Sequence, residues 1–272
     1  MSVSPDDLAE WRAAIGRARG QEQMLDAESL RRFAVAIGAD PDVERAMPVL
    51  GHWAWFLETA TDDGIGPDGH PKRGGFLPAV TLQRRMFAAA SVDFHAPAEL
   101  GAPAILDSII TDVRHRAGAS GDLIFVEVER RLGQAGTPRL TERQTIVYRD
   151  QGDAIPLPAA ATESAEGEMW RPGPVQLFRF SAATFNGHRI HYDRPYAREV
   201  ELYPDLVVHG PFTAARLAEM AARDGPLAGL EFRLLAPLFV DQPVRLARIA
   251  DSEYHAIRCD GVIAASLKAR AL

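Results

Sequence analysis

The chain has one cysteine, Cys259, among its 272 residues, which excludes an intrachain disulfide and a multi-thiolate metal site. It also has no apolar run near the roughly 18 residues that a membrane helix needs. Its first residues, MSVSPDDLAEW, carry acids where a secretory signal has a basic start and an apolar core. We therefore expect a cytoplasmic protein with no membrane partner.

Positive charge is scarce as well. Thirty Lys and Arg against 37 Asp and Glu give a net charge of −7, and the basic residues are scattered along the chain. Binding to nucleic acid needs basic residues gathered where they can neutralise phosphates, so we expect no nucleic-acid partner. Apolar residues make up 47% of the chain, as in ordinary globular proteins, and its length fits about one to two domains.

The first half of the chain predicts helices followed by strands. Apolar residues at helical spacing over residues 25–37, with Gly38 as a stop, predict an amphipathic helix. Pro78 suits the first position of a helix and predicts a second one that runs through Met86. The strand-like runs that follow are 91–95, 104–116, 123–132 and 139–148.

The same plan returns after a segment rich in proline and alanine, which predicts a linker. Pro211 predicts a helix through Ala222. The strand-like runs after it are 230–235, 244–250, 254–259 and 262–267.

Two short segments match across the halves. FHAP at 94–97, with a proline six residues on, matches LLAP at 234–237, also with a proline six residues on. A twisted antiparallel sheet that follows a helix buries it by curling around it, which is the hot-dog arrangement. We therefore predict an α+β double hot dog. A degenerate N-terminal half covers 1–150, a linker 151–173, and a C-terminal half 174–272.

The densest polar cluster of the chain contains FNGHRIHYD at 185–193. This stretch resembles the motif of MaoC-like and R-specific enoyl-CoA hydratases, in which an acid and a histidine five residues later flank the thioester. Nearly the whole chain resembles hydroxyacyl-thioester dehydratases and mesaconyl-C4-CoA or itaconyl-CoA hydratases, which carry a loop similar to GPDGHPKRGGF at 66–76. The resemblance implies reversible hydration of a 2-enoyl-CoA, or dehydration of a 3-hydroxyacyl-CoA. No motif supports a metal, a nicotinamide cofactor or a glycine-rich phosphate loop, so we expect no cofactor.

Mapped residue by residue, the motif histidine falls on His191 and the acid falls on Asn186. An amide cannot exchange a proton, so we expect Asn186 to orient water or a substrate carbonyl and His191 to move the proton. Asp193 either assists His191 or is a turn residue. His188 and Tyr192 are candidate substrate contacts, and ordinary loop positions are the alternative for both.

A second element is the predicted helix start at 209–212. Hydration builds negative charge on the thioester oxygen, and unpaired amides of a first helical turn can stabilise it. Pro211 has no N–H, so the donor would be Gly210 or Phe212. The resemblance implies that His209 and Gly210 form this oxyanion element, although a simple helix cap explains them too. Residues 76–78 hold the corresponding place in the first half, which we expect to shape the acyl pocket.

Four basic residues are candidate contacts to the substrate. Arg84 and Arg85, with Lys72 and Arg73, could hold a CoA phosphate or a substrate carboxylate, since arginine binds both in a bidentate manner. Solvated surface charge is the alternative.

Two other functions stay open. A thioesterase would need a carboxylate that activates water, and none is evident at Asn186. A non-catalytic acyl-CoA-binding protein is compatible with the change from acid to amide. A homodimer of such chains is compatible with either function.

Overall fold

The computed structural model describes residues 3–118, 121–159 and 167–272. Within them the α-helices are α1 (Pro5–Arg12), α2 (Ala27–Ile37), α3 (Pro174–Ala183) and α4 (Gly210–Ala222). The strands are β1 (Ala18–Met24), β2 (Arg84–Phe94), β3 (Pro103–Gly118), β4 (Gly121–Gln134), β5 (Thr137–Arg149), β6 (Glu168–Trp170), β7 (Leu227–Leu234), β8 (Val244–Ala250), β9 (Glu253–Arg258) and β10 (Ile263–Ala271). None of these helices is long and apolar enough to cross a membrane.

The strands of the described chain form one antiparallel sheet in the order β1-β3-β4-β5-β2-β7-β10-β9-β8-β6. Each half contributes strands in the same order from its outer edge, and the halves meet where β2 pairs with β7. The two matching sequence segments lie at the ends of these paired strands, because Phe94 ends β2 and Leu234 ends β7. The predicted repeat is therefore visible in the sheet.

Helices α2 and α4 form where their sequence patterns predict them. The Asp26 side chain caps α2 by accepting from the Ser29 amide at 2.7 Å, and Gly38 ends it in the left-handed conformation with φ 75°. Helix α4 packs on β7, β9 and β10 and reaches β2. A Cβ at Gly210 would lie 2.1 Å from a methyl carbon of Leu234, so glycine allows this close approach.

The predicted helix from Pro78 to Met86 is wrong. Residues 76–83 form bends and irregular backbone without a helix, and β2 already begins at Arg84. The Arg73 guanidinium donates to the carbonyls of Val80, at 2.6 Å, and of Leu82, which a helix would need for its own ladder. Both side chains are buried in a separate small core beside β3, β4 and β5. Pro78 and Pro211 therefore do not open equivalent helices.

Part of the predicted linker is structured. Residues 168–170 form β6, which pairs with β8, and Trp170 is buried against Phe212 of α4. A three-residue edge strand is too short to show alternation in the sequence. Residues 160–166 of the linker lie outside the described residues. The predicted boundaries of the two halves stay predictions.

Candidate active site

His191 lies buried in a short 3-10 turn between α3 and α4. Its Nδ1 is 2.7 Å from the carbonyl oxygen of Val207. Because a carbonyl only accepts, Nδ1 carries the proton and Nε2 keeps a lone pair. Burial lowers the pKa of His191 to about 4, against the opposite effect of the Val207 hydrogen bond. His191 is therefore a neutral imidazole near neutral pH, with Nε2 as a proton acceptor.

The His191 ring is stacked on the ring of His209, with centroids 3.6 Å apart and planes inclined by 20°. His209 is fully buried, and its Nε2 lies 2.8 Å from the Ser181 hydroxyl oxygen. Burial and the neighbouring histidines hold the pKa of His209 well below its usual range. Since His209 immediately precedes α4, the stack places the imidazole of His191 beside the start of that helix.

The first turn of α4 offers unpaired amides. No acceptor in the described chain bonds the Gly210 amide. The Phe212 side chain, in contrast, is in the core, stacked on Phe180 with centroids 4.9 Å apart. Only the backbone amide of Phe212 could therefore meet a substrate, and the helix dipole favours an anion at both positions.

Asn186 faces a cavity of about 290 Å³ between the two halves, whose wall also includes Pro211 of α4. Its side-chain oxygen accepts from the His188 amide at 2.9 Å. Within the described residues the side-chain NH₂ group has no such partner, so it is available as a donor. The expected role of Asn186 in orienting water or substrate stays a prediction.

Asp193 and Tyr192 turn away from this cluster. The Asp193 carboxylate binds the Arg189 guanidinium at 2.7 and 3.0 Å and accepts from the Tyr196 amide at 3.1 Å. Asp193 therefore stabilises the local turn and does not contact His191. The Tyr192 side chain is exposed, and its hydroxyl donates to the Gly187 carbonyl at 2.9 Å.

The structure adds two residues that the sequence reasoning missed. Asp68 lies 3.1 Å from Nδ1 of His70, and the His70 ring lies 4.0 Å from that of His188. His188 in turn meets His191 edge to face at 5.4 Å. Both residues stand in the loop that carries the family resemblance, so the spacing Asp-Gly-His in a glycine-rich loop was an available signal.

Electrostatics along this row keep the imidazoles neutral. Burial would raise the pKa of the Asp68 carboxyl, but its hydrogen bonds to the side chain and backbone of His70 hold it well below the usual range. Burial lowers the pKa values of His70 and His188, and the positive charge of Arg85 acts in the same direction on both. One carboxylate therefore stands at the end of a row of neutral imidazoles.

The loop that carries Asp68 is fixed to the motif by backbone contacts. Gly69 has φ +88°, and a Cβ there would lie 1.9 Å from the carbonyl oxygen of Gly187. The Arg189 amide donates to the Asp68 carbonyl at 2.9 Å. A loop of the first half thus completes a site built mainly by the second.

Asp68, His70 and His188 have donor atoms within 4.8 Å of one another, a spacing that a metal ion could use. The positive charges of Arg85 and Arg73 act on His70, which disfavours a cation at this place. The absence of a metal cofactor stays a prediction.

A second cavity, of about 430 Å³, is lined by all four basic candidates, Lys72, Arg73, Arg84 and Arg85. Two of them are already held by protein groups: Arg84 binds Glu201 at 3.0 Å, and Arg73 binds backbone carbonyls. Contacts to a CoA phosphate would therefore fall mainly to Lys72 and Arg85.

Comparisons with known proteins show the family and the fold of the chain. Residues 50–240 match the family model described as hydroxyacyl-thioester dehydratase type 2. The chain is 42% identical over 251 residues to mesaconyl-C(4)-CoA hydratase of Chloroflexus aurantiacus, covering 88% of each protein. Its fold is similar to that of a MaoC-like dehydratase from Phytophthora capsici, with a TM-score of 0.68, 13% identity, and coverage of 97% and 98%. It is also similar to a conserved hypothetical protein of Mycobacterium tuberculosis with a double hotdog fold, with a TM-score of 0.50, 13% identity, and coverage of 94% and 96%.

The predicted α+β double hot dog is confirmed by these fold neighbours and by the sheet order. Fold and relatives together define a hydro-lyase that hydrates an enoyl-CoA or carries out the reverse dehydration. The chain belongs to the family of hydroxyacyl-thioester dehydratases of type 2, because the family model spans most of it and the relative covers nearly all of it.

Proposed function

We propose that the chain hydrates a short 2-enoyl-CoA that carries a free carboxylate, such as mesaconyl-CoA, with His191 as the proton acceptor. The substrate named for the 42% identical relative supports this acyl class. The observation that carries the mechanism is the buried, neutral His191, stacked on the residue that precedes Gly210. Within the described residues neither Nε2 of His191 nor the Gly210 amide has a hydrogen-bond partner.

In the proposed step, Nε2 of His191 takes a proton from water as the water oxygen bonds to the β-carbon of the enoyl group. The electron pair of the double bond shifts toward the thioester, whose oxygen gains negative charge. The Gly210 amide and the dipole of α4 stabilise that charge. The α-carbon then takes the proton from His191, so that one water has been added and no cofactor is consumed.

The remaining polar residues support the proton transfer. The free NH₂ group of Asn186 holds the water or the thioester carbonyl in place. When His191 becomes positively charged, the Asp68 carboxylate offsets the charge through His70 and His188. This arrangement supplies a negative charge near the site although the motif position itself is an amide.

The cavity supports a short acyl group. Its walls include the aromatic side chains of Trp53, Phe76 and Phe87, and its volume of about 290 Å³ is at the small end for ligand pockets. Residues 76–83, which directly precede β2, form no helix, and strands of the first half line the cavity wall.

The test is incubation with mesaconyl-CoA and with crotonyl-CoA. Loss of enoyl absorbance without free thiol supports hydration, and His191→Ala should abolish that loss while acyl-CoA still binds. Release of free thiol would instead identify a thioesterase. Binding without any turnover would identify an acyl-CoA-binding protein. A cytoplasmic location and a homodimer stay predictions of the sequence.

A further inference from the structure

A row of polar side chains crosses the sheet of the first half. In the strand register, Arg19 of β1 lies opposite Ser108 of β3, and Ser108 lies opposite Arg130 of β4. Arg130 lies opposite Glu142 of β5. Directly opposed residues of antiparallel strands project from the same face, with Cβ atoms roughly 4.5–5.5 Å apart. Ser108 therefore stands between two arginines.

This row faces the cavity of the candidate active site. Arg19, Ser108 and Arg130 all belong to the cavity wall that includes Asn186 and Pro211. The neighbouring inward rows of the same strands are apolar: Leu106 lies opposite Leu132, and Ile110 lies opposite Val128. The polar row is thus a local feature within an apolar wall.

Donors of this row lack protein partners. Ser108 is 2% exposed, and its hydroxyl has no hydrogen-bond partner in the described chain. Nε of Arg19 is also buried without a hydrogen-bond partner in the described chain, although Nη1 of the same residue lies 3.5 Å from Glu58. Buried polar groups are nearly always hydrogen-bonded in folded proteins. Unpartnered donors that line a ligand cavity therefore indicate an acceptor supplied by the ligand.

Arg130 is held in place from behind. Its Nη1 lies 3.3 Å from the fully buried carboxylate of Glu142, which also accepts from Nε1 of Trp53 at 2.9 Å. Burial would raise the pKa of Glu142, but His52 and Arg130 lower it to about 2. Glu142 is therefore ionised and orients the Arg130 guanidinium, whose other N–H groups have no hydrogen-bond partner among the described residues.

We propose that Arg19, Ser108 and Arg130 bind the free carboxylate of the acyl group and so select dicarboxylic enoyl thioesters. The inference rests on the proposed function, since the carboxylate must belong to an acyl group in this cavity. Arginine and hydroxyl donors match a carboxylate because each of its oxygens accepts more than one hydrogen bond. The three residues determine specificity and take no part in the proton transfer.

The test compares kcat/KM for mesaconyl-CoA with kcat/KM for crotonyl-CoA, which has no free carboxylate. Ser108→Ala and Arg19→Gln should each lower kcat/KM for mesaconyl-CoA about tenfold, because a hydrogen bond to a charged group is lost. The value for crotonyl-CoA should stay unchanged. Arg131→Gln is the matched control, because Arg131 is exposed and bound to Glu129 next to the row.

Equal losses for both substrates would overturn the inference, since they would place the row on the CoA portion or in the fold. A kcat/KM for mesaconyl-CoA that is unchanged in both variants would overturn it as well. Ser108→Ala removes only an unpaired hydroxyl, so folding is retained. If the wild type hydrates neither thioester, the proposed function fails. The carboxylate site is then tested by binding, where Ser108→Ala should weaken mesaconyl-CoA about tenfold and leave crotonyl-CoA unchanged.

Discussion

The imidazole rings of His191 and His209 lie nearly parallel with their centroids 3.6 Å apart. Two positive charges at this distance in a buried site would repel strongly, so the pair holds at most one extra proton. That constraint keeps His191 available as an acceptor, and it also makes the folded protein sensitive to acid.

Stability should fall as the pH drops from about 6.5 toward 4. The pKa of His191 is about 4 in the folded protein and near the ordinary value of 6.5 when unfolded, so in this range the unfolded chain binds a proton that the folded chain does not. At a pH below both pKa values, His191 alone lowers the free energy of unfolding by on the order of 3 kcal/mol. Urea unfolding at several pH values measures it. His191→Gln should flatten the dependence, and the exposed His95→Gln should not; equal slopes for both variants would contradict the assignment.

His191→Ala should lower kcat by roughly 10²–10⁴-fold, because it removes the group that moves the proton. Asn186→Ala should lower kcat less, because only one or two orienting hydrogen bonds are lost. Asn186→Asp should keep at least partial activity, since an acid is the residue of the related motif. Steady-state kinetics decide, and a larger loss for Asn186→Ala would reverse the two roles.

Asp68→Asn should reduce kcat about tenfold with little change in KM, since it removes a charge from the row without changing its shape. It should also lower the pH at which His70 titrates in NMR spectra, because the Asp68 carboxylate raises the pKa of that imidazole. The exposed Asp62→Asn is the control. An unchanged His70 titration would mean that Asp68 only shapes the loop.

Gly69→Ala should lower both the melting temperature and the activity. Gly69 and Gly136 have similar positive φ angles of +88° and +78°, so alanine brings a backbone strain of roughly 1–2 kcal/mol to either position. A Cβ at Gly69 also meets the Gly187 carbonyl at 1.9 Å, whereas the space around Gly136 is open. Gly136→Ala should therefore be the milder change, and equal effects would show that the contact between the loops is unimportant.

The sequence predicts elements whose signal is local. Helix α4 and most strands follow from proline position and alternation, and His191 with Asn186 follows from motif spacing. The incorrect helix at Pro78 was also predicted from a local signal. It does not form because the Arg73 side chain binds the carbonyls of Val80 and Leu82, a contact that the local pattern does not contain.

Contacts between strands and between halves could be predicted only in part. Ser108 and Arg130 interrupt the apolar alternation of β3 and β4, and this interruption is readable from the sequence. That they oppose each other depends on strand register, which single-strand patterns do not contain. The contact of Asp68 and His70 with the motif depends likewise on how a loop of one half folds onto the other.

Pairing of β2 with β7 inside one polypeptide has an evolutionary consequence. In an assembly of two identical chains, every substitution appears in both clefts, so a change that improves one alters the other as well. Covalent fusion removes this symmetry. One copy could lose its own reactive histidine and recruit Ser108 and Arg130 for recognition, while the other kept His191. The two proposals together therefore predict that duplication let reaction and selectivity diverge under separate selection.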